Sequence, residues 1–471
     1  MKKCAYCGGE NEDNAVNCRG CGTPQSTANP VASPGTCDRC GATTDVVESF
    51  FKERKSFQNS VRTLCPAGWQ KHKTSSYKGI LIRRLALGVL GLASLYLWPN
   101  HGMGFVLLNL FFFQIALILS ILPHELAHAY VAKKIGWRVF KIYVGFGKTL
   151  FKRNLFGFET EFRAIPLGGL VLAAPRDKSH FRPKLFAFAL AGPVANVLLL
   201  WGSSIAVRTS PEGFVSLGHQ CAPLEMFVFA NLVIVIENLL PRIFVTPLGQ
   251  LASDGKQLLQ ALRKDPDRAA QSHAGGFILE GAVCYEKGQY EVARSWFEKG
   301  LLEYPDNIQL LLWNGNSLLA IQSFEKARNA YVALLPRVQA ERSLRPIILN
   351  NIAYVNAVLA TSELLVEADN YSEQAMKTLA WHSSIRGTRG AVLLELGKFE
   401  EAMPLLGQAM QEHETRNNKA QNACWLAIAE AKLGNLGAGK KLLDEARTLD
   451  STCFLLDRAE TVLAELTMRA Q

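Results

Sequence analysis

Cysteine all but disappears after residue 65. Of the eleven in the chain, seven lie in the first 65 residues, mostly in CxxC pairs, and Cys221, Cys284, Cys424 and Cys453 stand singly. That distribution argues against a disulfide scaffold and favours zinc held by thiolates in a reducing compartment. The N-terminal MKKCAYCGG has no apolar stretch behind its basic pair, so a cleaved leader is not expected and this end is expected in the cytoplasm. Acidic residues are outnumbered by basic ones, 41 to 51. Such an excess suits nucleic acid or an anionic surface, but Lys and Arg cluster beside apolar segments, as at a cytoplasmic membrane face. Nucleic acid therefore becomes the minor reading, and the stretch from Cys4 to Cys21 contains only Arg19 as a basic residue. With 471 residues the chain is too long for one core.

The first 23 residues read as a zinc ribbon. Cys4-x2-Cys7 and Cys18-x2-Cys21 are separated by ten residues, which delivers four thiolates tetrahedrally to one structural Zn²⁺. Residues 24–36, a Pro/Ser/Ala linker, build no core. Residues 37–75 hold Cys37, Cys40 and Cys65, one ligand short of a second structural site because Gly68 stands where a cysteine is wanted. Either His72 supplies the fourth ligand, or this module is degenerate and is held by packing of Val46, Val47, Phe50, Phe51 and Trp69.

Four apolar segments follow, about 80–98, 105–122, 185–207 and 224–240. Basic residues alternate between the connections: Lys71, Lys73 and Lys78 precede the first segment and Arg83 and Arg84 interrupt its start, none lies in 99–104, and twelve lie in 133–184. This pattern predicts four membrane helices with both termini in the cytoplasm. The second segment runs into Pro123 and then His124-Glu125-Leu126-Ala127-His128. Residues four apart share a helix face, so His124 and His128 can offer two imidazoles to one Zn²⁺ while Glu125 stands beside it as a general base. Nine histidines in 471 residues make this pattern an accident on the order of one time in a hundred, and ionisable residues in a membrane helix are costly. The donor set is that of a zinc hydrolase lacking its third ligand.

Residues 141–175 of the long connection are rich in β-branched and aromatic residues broken by Gly and Pro, and read as short strands or a re-entrant hairpin, or else as an ordinary cytoplasmic loop. A strand edge near the metal would hold an extended peptide by main-chain pairing. Within the third segment, Asn196 of AGPVAN can bond a neighbour or the site. After the fourth, Asp254 supplies either a third metal ligand or a helix cap before GKQLL.

The set HELAH, PLGG at 166–169, AGPVAN at 191–196, and NLLP followed by Ser253-Asp254-Gly255 resembles the site-2 proteases, intramembrane zinc metalloproteases. The resemblance covers residues 80–262. It implies His124, His128 and Asp254 as ligands of a catalytic zinc, Glu125 as general base, Asn196 and Asn238 as supporting polar groups, and peptide-bond hydrolysis in or beside the transmembrane segment of another membrane protein. The chain departs from the family's usual tail, since PLG at 247–249 lacks an Asp and SDG comes later.

From about residue 270 to 471 the chain turns polar and repetitive. Gly281, Gly288, Tyr290, Ala293, Phe297 and Pro305 recur as Gly315, Phe324, Ala327 and Tyr331, and again as Gly390, Gly397, Phe399, Ala402 and Ala409. This looks like tetratricopeptide repeats, an α-solenoid that presents a concave surface to protein partners. The region near 340–380 falls out of period and reads as irregular or as an insertion; a last copy at 434–446 is weak. Trp296, Trp313, Trp381 and Trp425 are assigned to the repeat core. The expected whole is a multi-domain, polytopic α-helical membrane protein in the cytoplasmic membrane, acting as a protease. A non-proteolytic scaffold of the same fold is the alternative. The bilayer, membrane-protein substrates and a second copy of the chain are its expected neighbours.

Overall fold

The computed structural model describes residues 85–98, 102–210, 219–246, 249–339, 344–380, 382–412 and 415–470, together with Ile82 and the backbone of six short strands before residue 65. Those strands form three antiparallel pairs: β1 Lys2–Lys3 with β2 Glu10–Asn11, β3 Gly35–Thr36 with β4 Thr43–Thr44, and β5 Phe51–Arg54 with β6 Val61–Leu64. Cys4, Cys7, Cys18, Cys21, Cys37, Cys40, Cys65 and His72 all lie outside the described residues. The chain divides into two compact units, residues 72–323 and residues 1–71 with 324–471.

In the first unit, α1 (Leu85–Leu97) precedes α2 (Met103–Lys134), α3 (Phe181–Thr209) and α4 (Pro223–Leu239), with α2, α3 and α4 packed against one another. Among the described residues α2 and α3 are long and apolar enough to cross a membrane. The segments expected at 80–98 and 224–240 become shorter helices, α4 having 17 residues. Their outward faces are apolar: Leu119 on α2, Leu198 and Trp201 on α3, and Phe229 and Ile236 on α4 are all exposed. The apolar run of α2 does not stop at Pro123; the helix continues through HELAH to Lys134. His124 therefore lies about 31 Å from the helix start at 1.5 Å per residue, which is one hydrocarbon thickness of a bilayer.

The connection between α2 and α3 holds two long strands rather than short ones, β7 (Arg138–Leu155) and β8 (Phe158–Ala174). Phe156 and Gly157 form the two-residue turn, both with positive φ, the geometry whose twist matches a hairpin. Both strands then fold back. Ile142, Tyr143 and Val144 pair with Val171, Leu170 and Gly169 on one side and with Thr160, Glu161 and Phe162 on the other. Gly145 and Gly147, with φ of 93° and 83°, sit at the bend in β7, where a side chain would be strained. The result is a four-segment sheet in the order 149–155, 158–163, 138–146, 165–174, whose last segment has an edge with no strand partner among the described residues.

One face of this sheet is apolar. Ile142, Val144, Phe158 and Val171 join Ile121, Ala129 and Ala132 of α2, Phe181, Leu185 and Phe188 of α3, and Trp137 in a single core. The other face is ionic: Glu161 accepts from Thr149 at 3.0 Å and pairs with Lys141 at 3.0 Å and Lys152 at 3.1 Å. Alternation of the two sets along the strands is what a half-solvated sheet requires.

After α4 the chain turns through β9 (Ile243–Thr246) and β10 (Gly249–Ala252) into α5 (Asp254–Leu262). The helical tail starts at once with α6 (Pro266–Glu286), α7 (Tyr290–Glu303) and α8 (Ile308–Ala320). These helices belong to the same unit as the apolar ones. Arg138 pairs with Glu280 at 2.8 Å, Lys178 with Glu303 at 2.6 Å, and His273 bonds the Arg176 carbonyl at 3.1 Å. Phe297 is fully buried and stacks on Trp313, and Gly281 leaves room for that phenyl ring.

The second unit continues the helix pairs: α9 (Phe324–Leu334), α10 (Arg345–Leu359), α11 (Ser362–Leu379), α12 (Ser383–Glu395), α13 (Phe399–Glu412), α14 (Arg416–Lys432), α15 (Leu436–Leu449) and α16 (Leu456–Ala470). The region near 340–380 is not irregular. It holds the pair α10–α11, in which Ala353, Ala357, Ala368, Ser372 and Ala375 occupy buried helix-contact positions without the glycine signature. The weak copy at 434–446 is likewise a regular pair, α14–α15, with Trp425 buried in its core.

Candidate metal centre

His124 and His128 lie one turn apart on α2, and Asp254 opens α5. The fold brings Asp254, 126 positions beyond His128, into one cluster with the two histidines, all three buried. His124 Nε2 is 3.1 Å from His128 Nε2 and 3.2 Å from Asp254 Oδ2, and His128 Nε2 is 3.4 Å from Asp254 Oδ1.

Hydrogen bonds to the far side of each ring decide where the protons are. His128 Nδ1 is 2.7 Å from the Phe188 carbonyl, which can only accept, so Nδ1 carries a proton and in the neutral ring Nε2 keeps its lone pair. His124 Nδ1 is 2.5 Å from Asn196 Oδ1, which has the same effect. The buried Asp254 Oδ2 has no hydrogen-bond partner of good geometry and faces His124 Nε2 at 3.2 Å. Two lone pairs and a carboxylate thus converge with nothing between them, an arrangement that is repulsive unless a cation fills it. The donor set, two neutral imidazoles and one carboxylate, suits a divalent metal with a position left open.

Space for such an ion is secured by Gly192 on α3. A methyl group there would fall within 2.5 Å of His124 Nε2. Glu125 is buried beside the cluster and packs against Gly169 on the unpaired edge of the sheet, where a methyl would strike its carboxyl group. The free strand edge and the candidate base are therefore neighbours.

Asp254 is held at its helix terminus by its own neighbours. The Ser253 hydroxyl donates to the Leu240 carbonyl at 2.7 Å and accepts from the Arg242 amide at 2.9 Å and the Lys256 amide at 3.3 Å. Gly255 lies so close to the Leu239 carbonyl that no side chain fits. At the other end of α5, Arg182 donates to the carbonyls of Ala261 and Leu262.

Of the two supporting asparagines expected from the sequence, Asn196 bonds His124 and Asn238 bonds its own helix. Asn238 Nδ2 bonds the Ile234 carbonyl of its own helix at 3.0 Å. The α4 side chain that reaches inward is Asn231, two turns earlier and fully buried, whose Oδ1 accepts from Asn196 Nδ2 at 2.8 Å. Nothing in the sequence distinguished it from the other polar residues of an apolar helix.

The family model described as Peptidase family M50 matches residues 112–212. The Regulator of sigma-E protease RseP of Salmonella typhimurium is 39% identical over 107 residues, 20% of this chain and 24% of that protein. Zinc metalloprotease Rip1 of Mycolicibacterium smegmatis is 33% identical over 127 residues, 22% of this chain and 30% of that protein. The chain thus spans less than a third of the length of these relatives. Among solved structures, a thermophilic tetratricopeptide-repeat protein of Thermus thermophilus aligns with 41% of this chain and 99% of its own at 20% identity and a TM-score of 0.33. The matched stretch holds His124, Glu125, His128 and Asn196, while Asp254 joins them through the fold from outside it. Residues 112–212 of this chain carry a domain of Peptidase family M50, the site-2 protease family its motifs resemble.

Proposed function

We propose that this protein is an intramembrane zinc metalloprotease that hydrolyses a peptide bond in or near the transmembrane segment of membrane-protein substrates. The observation that carries the proposal is the buried convergence of one ligand atom each from His124, His128 and Asp254, all within 4.8 Å of one another, at the end of a bilayer-length helix. His124, His128 and Asp254 would hold the ion. A zinc ion bound there would polarise the scissile carbonyl and acidify a water molecule. Glu125, adjacent in sequence to His124 and buried, takes the proton from that water and returns it to the leaving amine. The unpaired edge at 165–174 receives the substrate as an extended strand, setting its main chain beside Glu125.

The membrane domain has four helices and both termini in the cytoplasm, with the site near the cytoplasmic face where water reaches it. The ionic face of the β7–β8 sheet fits that side. Cys4, Cys7, Cys18 and Cys21 hold a structural zinc, Cys37, Cys40, Cys65 and His72 a second one, and the helix pairs from 266 onward bind protein partners, which links cleavage to a signal. A test uses the full chain purified in detergent with a panel of single-span membrane peptides. Cleavage that is lost on chelation and restored by zinc supports the reading. Cleavage that persists in the metal-free protein contradicts it.

A further inference from the structure

Asn196 alone does not determine the state of His124. A side-chain amide can turn over, presenting either its oxygen or its nitrogen. With the oxygen inward, His124 keeps its proton on Nδ1 and Nε2 is bare. With the nitrogen inward, Nδ1 must accept, the proton moves to Nε2, and the lone pair facing His128 and Asp254 is lost.

The orientation is set two residues further from the site. Asn196 Nδ2 donates to Asn231 Oδ1 at 2.8 Å. Asn231 is itself oriented, because its Nδ2 donates to the Phe227 carbonyl at 2.9 Å, and a carbonyl can only accept. Asn196 Nδ2 also faces the Ser120 carbonyl at 3.5 Å, a long contact of the same sense. Both asparagines are fully buried, so no water competes for these groups. Read outward from the backbone, each bond fixes the next: Phe227 carbonyl, Asn231, Asn196, His124.

We propose that Asn231 is a positioning residue that selects, through Asn196, the His124 tautomer able to bind metal. This rests on the reading of His124, His128 and Asp254 as metal ligands. Outer partners of metal-binding histidines act in this way elsewhere, and their loss typically lowers metal affinity by about 10- to 100-fold.

The test measures zinc affinity of the full chain in detergent by competition with a chelator, with Co²⁺ absorption reporting the coordination geometry. Asn231→Leu conserves volume and apolar packing but removes the acceptor, and is expected to weaken zinc binding about 10- to 100-fold. Asn231→Asp, which carries its proton in this apolar setting, can still donate to Phe227 and accept from Asn196, and is expected to bind zinc as the parent does. An Asn231→Leu protein with parental affinity, or an Asn231→Asp protein as weak as Asn231→Leu, overturns the proposal. Should Asn231→Leu fail to fold, Asn231→Ala, which also removes the acceptor, takes its place; should Asn231→Asp fail, the double change decides. Asn196→Asp places a carboxyl directly against the metal-binding ring of His124, beside a cation that position 231 lacks and that holds the carboxyl ionised. It then offers only acceptor oxygens and needs no orienting, so adding Asn231→Leu to it should cost no further affinity. An additive loss overturns the proposal. His124→Ala is the control: if it leaves the bound zinc of the parent unchanged, the ligand reading itself fails, an outcome distinct from a failure of the Asn231 relay.

Discussion

Changing Gly192 to Ala places one methyl group between the metal-binding nitrogens. The new carbon would lie within 2.5 Å of His124 Nε2 and Cε1 and closer still to His128 Nε2, whereas ordinary contacts between non-bonded atoms are about 3.5–4.0 Å. The rings must retreat by about 1 Å, yet each is fixed on its far side, His124 by Asn196 and His128 by the Phe188 carbonyl. Displacement of that size in a reacting site costs about 100-fold, or about 2.7 kcal/mol at 1.36 kcal/mol per tenfold. Helix propensity acts in the opposite direction, since Ala is favoured over Gly in a helix interior by about 1 kcal/mol. The clash is the larger effect, so Gly192→Ala should lose zinc affinity and peptide cleavage together by about two orders of magnitude. Chelator competition and a cleavage assay on detergent-purified protein measure both. Parental zinc affinity and activity in Gly192→Ala would refute the placement of the ion against α3.

Ser253→Ala removes one donor and one shared acceptor from the junction that presents Asp254; at about 1 kcal/mol per hydrogen bond, zinc affinity should fall by roughly tenfold or more, with Ser253→Thr retaining it. Glu161 is pushed up by burial but held at about 2 by its bonds with Lys141, Lys152 and Thr149. Because its folded value lies below the ordinary 4.5, its contribution to stability is present above that value and is lost as the pH falls from 4.5 towards 2. Thermal unfolding of Glu161→Gln should therefore show a lower midpoint than the parent at pH 7 and a shallower decline into acid. Reporter fusions after residue 220 and after residue 471 should report outside and cytoplasm respectively; a cytoplasmic signal from the first contradicts the four-helix topology.

The candidate ligand pair and the candidate base were legible in the sequence because their geometry is local: four residues on a helix is one turn wherever the helix lies. Asn196 was legible through its AGPVAN setting. Asp254 was not distinguishable from a helix cap by residue type, and it is in fact both the first residue of α5 and a member of the cluster. The contrast between Asn231 and Asn238 is instructive. Asn231 and Asn238 are seven residues apart, two turns, and so project from the same face of α4, about 10 Å apart along its axis. Periodicity identifies the face, but only the packing of α4 against α2 and α3 sets the depth, and depth determines which asparagine meets Asn196. The fold-back of β7 and β8 was hidden for a similar reason, since pairing on both sides of Ile142–Val144 leaves no trace in alternation. In the tail, the pair α10–α11 escaped notice because alanine and serine fill positions where glycine was the sign being followed.

The central claim is that Glu125 moves protons for a metal-dependent peptide hydrolysis, and the most direct measurement compares the parent with Glu125→Gln. Glu125 is not among the three residues proposed to hold the metal, so both proteins should contain the same zinc. The account predicts cleavage of single-span membrane peptides by the parent and its loss in Glu125→Gln at equal zinc content. Equal cleavage by the two proteins would contradict it.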